Sequence, residues 1–218
     1  MPQQPTTKGE RTRARIVAQV APLFNKRGFA GANMADLIAT TGLRAGGVYR
    51  HFDGKEALAI AAFDHAAAKH WAFYNDAVAG AGDAVARLAA FAAAMASIVE
   101  TPLIPGGCPI LNAAIEMDDA HPALPALRTR VRRAMDGLIG LVRRILTDGI
   151  KDGQIAPSID PSAEARLVIA TLEGGIMLAK LYGDPSIARE AAARVAERAR
   201  TLGANPHSRR AVRRRASR

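Results

Sequence analysis

The 218-residue chain has a single cysteine, Cys108, and few aromatic side chains, which make up 5% of it. One cysteine excludes an internal disulfide framework and fits a reducing compartment. No apolar run reaches membrane-spanning length, and residues 1–7 are polar, without the apolar core of a signal peptide. These absences predict a soluble protein of the cytoplasm.

The residue patterns of common enzymes are also missing. There is no glycine-rich phosphate loop and no Cys-x-x-Cys pair, and the five histidines include no pair at metal-ligand spacing. The sequence therefore predicts no catalysis, no metal site and no cofactor.

Helix-forming residues are abundant instead. Hydrophobic residues make up 49% of the chain, Ala, Leu, Arg and Glu are plentiful, and β-branched residues are scarce. This composition predicts an all-α protein, and the positions of Gly and Pro divide it into about nine helices.

The net charge of +10 is concentrated at the two ends. Residues 1–55 hold nine Lys/Arg and three Asp/Glu, whereas residues 205–218 hold six Arg and no acid. The part between them is nearly neutral. This distribution predicts an N-terminal module and a tail that meet phosphates, joined by a body with another task.

Capping signals place the first helices. Thr7 and Glu10 have the spacing of a capping box, so the first helix begins there and ends at Gly28, with a kink expected at Pro22. Asn33 is a suitable N-cap for a second helix that runs through Thr40. Gly42 then supplies a tight turn before a short helix over 45–51. Further helices are predicted over 54–79, 83–100, 108–118, 122–152, 162–182 and 185–203.

The short helix over 45–51 carries two glycines, each costing about 1 kcal/mol relative to alanine. A helix, a glycine turn and a second helix can form a plain helical hairpin. Exposed Arg44, Tyr49, Arg50 and Lys55 around this turn favour DNA binding over that alternative.

The ordered set Thr41-Gly42-Leu43-Arg44-Ala45-Gly46-Gly47-Val48-Tyr49-Arg50-His51-Phe52-Asp53-Gly54-Lys55-Glu56-Ala57-Leu58 resembles the helix-turn-helix signature of the tetracycline-repressor (TetR) family. The resemblance implies an N-terminal three-helix DNA-binding domain and a helical ligand-binding and dimerisation domain. It also implies a dimeric repressor that a small-molecule ligand releases from a palindromic operator. The predicted divisions are an arm over 1–9, a DNA-binding domain over 10–70 with its motif at 33–52, a body over 71–204, and a disordered basic tail over 205–218.

The resemblance also indicates which residues meet DNA. Tyr49 and His51 occupy positions that commonly contact DNA, and Lys55 lies at the start of the fourth helix, where the helix dipole favours phosphate as well. The predicted DNA-binding residues are Asn33, Met34, Arg44, Ala45, Gly46, Gly47, Tyr49, Arg50, His51 and Lys55. Met34 cannot donate the hydrogen bond that a hydroxyl residue gives in the family, and Ala45 and Gly47 offer little side chain. Arg44 therefore either reads guanine directly or pairs only with phosphate.

The C-terminal half is expected to hold the dimer interface and the ligand pocket. Small residues over 162–182 and 185–203 suit close helix contact, and the resemblance implies a dimer there; the alternative is a helical hairpin within one subunit. Apolar walls with a few polar anchors are typical of ligand pockets. The candidate lining residues, each of which could also be ordinary core, are Trp71, Phe91, Met95, Asn112, Glu116, Met117 and Met177.

Two features are open to more than one interpretation. Cys108 lies at the predicted start of a helix, where the helix dipole can favour a thiolate, so it is either a sensor of electrophiles or oxidants or a small structural residue. The arginine tail is a solvated terminus, a nonspecific phosphate contact or a site for another partner. A nonspecific architectural protein that binds nucleic acid through this tail is the alternative function.

Overall fold

A computed structural model of the chain describes residues 7–117 and 124–203. Within these ranges the backbone forms nine α-helices and no β-strand, which confirms the predicted all-α fold. The helices are α1 (Lys8–Gly31), α2 (Met34–Thr41), α3 (Ala45–Tyr49), α4 (Lys55–Ala79), α5 (Ala84–Ser97), α6 (Pro109–Ile115), α7 (Pro125–Lys151), α8 (Pro161–Tyr182) and α9 (Ser186–Leu202).

The chain divides into two compact units. The first comprises Met1–His70 and Pro102–Ala134, and the second comprises Trp71–Thr101 and Met135–Arg218. The first unit thus contains α1 to α3 together with α6, which comes from the part predicted as the ligand-binding body. Helices α4 and α7 each have residues in both units.

Helix α1 begins as the capping box predicts and is interrupted at a glycine. The Thr7 hydroxyl accepts a hydrogen bond from the Glu10 backbone N–H, and the Glu10 carboxylate accepts one from the Thr7 N–H. Pro22 keeps helical dihedral angles, so the break in α1 falls at Gly28, with φ 71° and ψ 180°, rather than at the proline. A left-handed φ of this kind favours glycine, as expected for Gly28.

The core of the first unit joins α1, α2, α3 and the start of α4. Its fully buried centre includes Ile16 and Val20 of α1, Leu37 of α2, Val48 of α3 and Leu58 of α4. Each of these helices buries one apolar face, as the helical spacing of apolar residues predicts. The shared core fixes the short helix α3, which could not be stable alone.

In the second unit, α9 packs against α5 and α8. The Arg198 guanidinium donates two hydrogen bonds of 2.9 Å to the nearly buried carboxylate of Glu164, joining α9 to α8. A Cβ at Gly175 would lie 2.4 Å from the Ala191 Cβ, so α8 and α9 can approach this closely only because residue 175 is glycine.

No helix among the described residues is long and apolar enough to cross a membrane. The predicted disordered tail, 205–218, and most of the predicted arm, 1–6, lie outside the described residues.

Candidate nucleic-acid interface

Helices α2 and α3 are joined by a tight turn at Gly42. Gly42 adopts φ 65° and ψ 9°, and its N–H donates to the Ala39 carbonyl. The Thr41 hydroxyl donates to the Ile38 carbonyl at 2.7 Å and accepts from the Leu43 N–H at 3.2 Å. Leu43 packs against the core of the first unit. The turn is thus held at both sides, and α3 begins at a defined angle to α2.

The two glycines of α3 are not required by the packing of the protein. Apart from the adjoining residues and the backbone of α3 itself, no heavy atom lies within 4 Å of the place where a Cβ would stand on Gly46, and the nearest at Gly47 is the Leu43 Cβ at an ordinary 3.5 Å. Neither glycine has a positive φ. The backbone of α3 at Gly46 is therefore exposed and open to close approach from outside.

Half of the ten predicted DNA-binding residues are exposed residues at or next to α3. Arg44, Ala45, Gly46, Tyr49 and Arg50 are exposed, and Tyr49 keeps 49% of its surface accessible. Gly47, His51 and Lys55 are half-buried. Arg44 is the N-cap residue of α3, and its side chain makes no capping hydrogen bond there. Because Arg44 is exposed, its guanidinium is accessible to a ligand.

Asn33 and Met34 have structural contacts of their own. The Asn33 side chain accepts from the Asp36 N–H at 2.8 Å and donates to the Asp36 carboxylate at 3.1 Å, so it caps α2 as its residue type predicts. Met34 is half-buried and packs against the core of the first unit. Both side chains therefore have positions that the fold itself explains.

Two cations beside α3 rest on aromatic rings. The Lys55 ammonium lies 4.3 Å from the centre of the Phe29 ring, and the Arg13 guanidinium carbon lies 4.7 Å from the centre of the Phe52 ring. Phe52 follows α3 directly, so Arg13 of α1 stands next to the predicted interface. Sequence reasoning missed Arg13, although the alternating arginines at 11, 13 and 15 are its sequence signal.

Helix α6 is tied to the C-terminal half of α1 by side-chain hydrogen bonds. The Asn25 amide donates to the Pro105 and Gly107 carbonyls at 3.2 and 3.0 Å, and the Asn112 amide donates to the Asn25 side chain at 2.9 Å. The Glu116 carboxylate accepts the Phe29 N–H at 2.7 Å.

The predicted ligand-binding residues fall in both units. Asn112, Glu116 and Met117 belong to the first unit, whereas Trp71, Phe91, Met95 and Met177 belong to the second. Phe91 and Met95 are fully buried, and Phe91 contacts Tyr74 edge to face, with 5.6 Å between the ring centres. Asn112 and Glu116 line one cleft, and this cleft also contains apolar side chains of α1 and α4.

Cys108 is the N-cap residue of α6, as its predicted place at a helix start requires. Its sulfur accepts a weak hydrogen bond from the Leu111 N–H at 3.5 Å, and only 2% of the residue is exposed. Reactive cysteines are usually partly exposed, so this burial favours the structural interpretation.

Two histidines of α4 titrate below their ordinary range. Burial lowers the pKa of the His65 imidazole, and the positive charge of Lys69 lowers it further. Burial is also the main cause of a lowered pKa at His70; the hydrogen bond to the Ala66 carbonyl partly opposes it, and Lys69 adds to it. Both imidazoles are thereby favoured in the neutral form.

A helix held by the core, a tight turn and an exposed second helix with cations and glycines define a helix-turn-helix DNA-binding protein. Residues 16–62 match the model described as bacterial regulatory proteins of the tetR family, and residues 84–195 match that of the tetracyclin repressor-like C-terminal domain. The chain belongs to the TetR family of DNA-binding transcriptional regulators. Proteins of this family are not enzymes.

The similarity to individual relatives extends along most of the chain. A TetR transcriptional regulator from Chloroflexus aurantiacus is 42% identical, with TM-score 0.85, over 90% of this chain and 98% of that one. A TetR-family regulator from Cytophaga hutchinsonii is 29% identical, with TM-score 0.85, over 93% and 100%. The transcriptional repressor DhaR from Mycobacterium sp. (strain GP1) is 26% identical over 78% of this chain and 82% of that protein.

Proposed function

We propose that this protein is a dimeric repressor that binds a palindromic operator through α3 and leaves it when a small-molecule effector binds. The observation that carries the proposal is the outer side of α3, where an open glycine backbone lies among an exposed guanidinium, a phenol and a second arginine. Such a surface fits a DNA groove because it combines close backbone approach with hydrogen-bond donors. The relationship to a named repressor supports repression as the direction of control.

Within this interface the residues have different tasks. Arg44 is exposed at the start of α3, and its guanidinium can donate two hydrogen bonds to guanine. Tyr49, Arg50 and His51 supply contacts to the DNA backbone or to bases. Lys55 and Arg13, each held over an aromatic ring, supply phosphate contacts whose strength decreases as salt increases.

Dimerisation through α8 and α9 is supported by an apolar surface on α8. Leu167, Leu178, Leu181 and Tyr182 recur at helical spacing and are between 38% and 72% exposed. Contiguous apolar patches of this kind mark interaction surfaces. Two copies that pair by this surface would present two α3 helices to the two halves of a palindrome.

The test begins with a footprint on DNA that flanks the protein's own gene, followed by titration of the protected sequence by fluorescence anisotropy. Tyr49→Ala is expected to weaken operator binding at least about tenfold, a loss of roughly 1.4 kcal/mol. Removal of residues 205–218 is expected to weaken binding to all sequences alike. If the truncation abolishes DNA binding whereas Tyr49→Ala leaves it unchanged, the nonspecific architectural alternative is favoured.

Arg44 is tested against a panel of operators with single base-pair changes. Direct readout predicts that Arg44→Ala removes discrimination at one position by about 1–3 kcal/mol and leaves the others unchanged. Uniform weakening over the panel would mean that Arg44 contacts phosphate only.

A further inference from the structure

The first unit contains a cleft between α1, α4 and α6 that the DNA interface does not use. It is open to solvent and is bounded along one side by Phe24 and Phe29 of α1 and along another by Phe63 of α4. Alanines make up about half of the other lining residues, and two of the remaining ones, Asn25 and Asn112, carry amides. The Glu116 carboxylate at the end of α6 is the charged group in this lining.

The position of Glu116 is fixed by the backbone of α1. One oxygen, Oε2, accepts the Phe29 N–H at 2.7 Å. The other, Oε1, lies where a Cβ of residue 28 would stand, at 1.9 Å from it, so the carboxylate occupies space that only glycine leaves open. Glycine at position 28 therefore leaves the space that the Glu116 carboxylate occupies.

Glu116 has no ion-pair partner among the residues that the structure describes. The ion pairs found there involve other carboxylates, such as Asp36 with Arg27 and Asp64 with Arg130. A carboxylate offers about four acceptor positions, and a single backbone N–H fills one of them. An ammonium group carries a full positive charge that the backbone N–H lacks, so it would form an ion pair with the carboxylate as well as a hydrogen bond.

The aromatic walls fit the same class of ligand. The face of a phenyl ring attracts cations, and the ring of Phe29 already holds the Lys55 ammonium at 4.3 Å. An apolar lining around one anionic group selects a molecule with an apolar body and one positive charge. We infer that this cleft binds a small organic cation, with its charged nitrogen on Glu116 and its apolar body against Phe24, Phe29 and Phe63.

The same contacts connect the cleft to the DNA interface. Phe29 is held at its N–H by Glu116, and its ring holds Lys55 at the start of α4. An ammonium bound at the open acceptor positions draws the Glu116 carboxylate toward the ligand and lengthens its hydrogen bond to the Phe29 N–H. The anchor of Phe29 is thereby weakened, and with it the support that the Phe29 ring gives to Lys55. This consequence rests on the proposed ligand-released repressor and names the chemical class of its effector; ligand binding in the cleft does not depend on it.

Binding is tested on the full chain by isothermal titration calorimetry with benzylamine and with benzyl alcohol, its neutral counterpart. Benzylamine is expected to bind with a Kd in about the millimolar range, as suits a ligand of its size. Benzyl alcohol is expected to bind at least about tenfold more weakly, because it lacks the charge. The inference would be overturned if benzylamine shows no measurable binding at about 20 mM. It would also be overturned if the two compounds bind with about the same Kd.

Glu116→Gln keeps an oxygen that can accept the Phe29 N–H but removes the charge. It is expected to weaken benzylamine at least about tenfold, whereas the matched variant Glu100→Gln, in an exposed ion pair with Arg189, should change nothing. Hydrogen exchange at the Phe29 amide locates the effect, since it should become faster with benzylamine in the wild type only. Benzylamine binding that is equally strong in Glu116→Gln would place the ligand elsewhere and overturn the inference.

Operator anisotropy provides the regulatory measurement. Saturating benzylamine is expected to weaken operator binding at least about threefold in the wild type and not in Glu116→Gln. Benzylamine that binds in the cleft without this change would overturn the regulatory consequence. If no operator is found at all, the proposed function fails, and the calorimetry still decides whether the cleft binds organic cations.

Discussion

The fold does not require glycine at position 46, whereas DNA binding can explain it. Nothing in the protein approaches the place of its missing Cβ, and its backbone has an ordinary helical φ. Glycine within a helix lowers stability relative to alanine. A residue that costs stability without serving the fold is explained by a partner that must come close to the backbone.

Gly46→Ala is therefore expected to change stability and DNA binding in opposite directions. The free energy of unfolding should increase by up to about 1 kcal/mol, measured by urea denaturation, because alanine favours the helix. Operator affinity should decrease, because the added methyl group occupies the gap next to the groove. Gly137→Ala, in α7 with Trp71 at an ordinary 3.6 Å, should change stability without weakening operator binding. Unchanged operator affinity in Gly46→Ala would contradict this explanation.

His70 gives the stability a defined pH dependence. Its pKa is lowered in the folded protein, mainly by burial, so the unfolded chain binds more protons as the pH falls. The contribution is fully present above the ordinary histidine pKa of about 6.5 and is lost as the pH decreases below it. Urea denaturation between pH 7.5 and pH 5.5 should show this decrease.

His70→Gln should make the decrease with pH smaller, because it removes the titrating group while its amide can still donate to the Ala66 carbonyl. His65→Gln should remove a further part of the pH dependence, since burial and the charge of Lys69 also lower the pKa of the His65 imidazole. A pH dependence that is unchanged in both variants would show that other groups cause it.

Helices α8 and α9 approach each other closely at Gly175. Gly175→Ala would bring two Cβ atoms to 2.4 Å and is expected to destabilise the protein by about 1–3 kcal/mol, measured by urea denaturation. Ala191→Gly removes the opposing methyl group, so the double variant should regain most of the loss. A double variant no more stable than Gly175→Ala would contradict this packing argument.

The helices themselves were predictable because their signals are local. The Thr7 capping box, the Asn33 cap and the Gly28 and Gly42 turns each depend on residues a few positions apart, and the structure has all four. The kink expected at Pro22 lies instead at Gly28, where Glu116 occupies the space beside the backbone. That contact joins residues 88 positions apart in the sequence, which no local pattern reveals.

The candidate site was predictable to a similar extent. The exposed residues of α3 follow from an ordered motif, whereas Arg13 was missed because only folding brings it onto the ring of Phe52. Asn112 and Glu116 are four positions apart, one helical turn, and both candidates do line one cleft. Their partners on α1, Asn25 and Phe29, depend on tertiary contacts and could not be found from spacing.

At the scale of the whole molecule, the property to test is dimerisation. Leu181 keeps 72% of its surface exposed and belongs to the apolar surface of α8 that we propose as the dimer interface. Leu181→Arg places a charge in that interface and is expected to weaken dimerisation by about 2 kcal/mol or more. Sedimentation equilibrium should then detect monomer at concentrations where the wild type is dimeric.

Because a palindrome is read by two α3 helices, Leu181→Arg should also weaken operator binding, although residue 181 has no part in the DNA interface. Ile115→Arg is the matched control, since Ile115 is another exposed apolar residue, 64% accessible, on α6. It should leave the sedimentation unchanged. A Leu181→Arg protein that stays dimeric would exclude this surface of α8 as the interface, and one that becomes monomeric with full operator affinity would exclude the need for two copies.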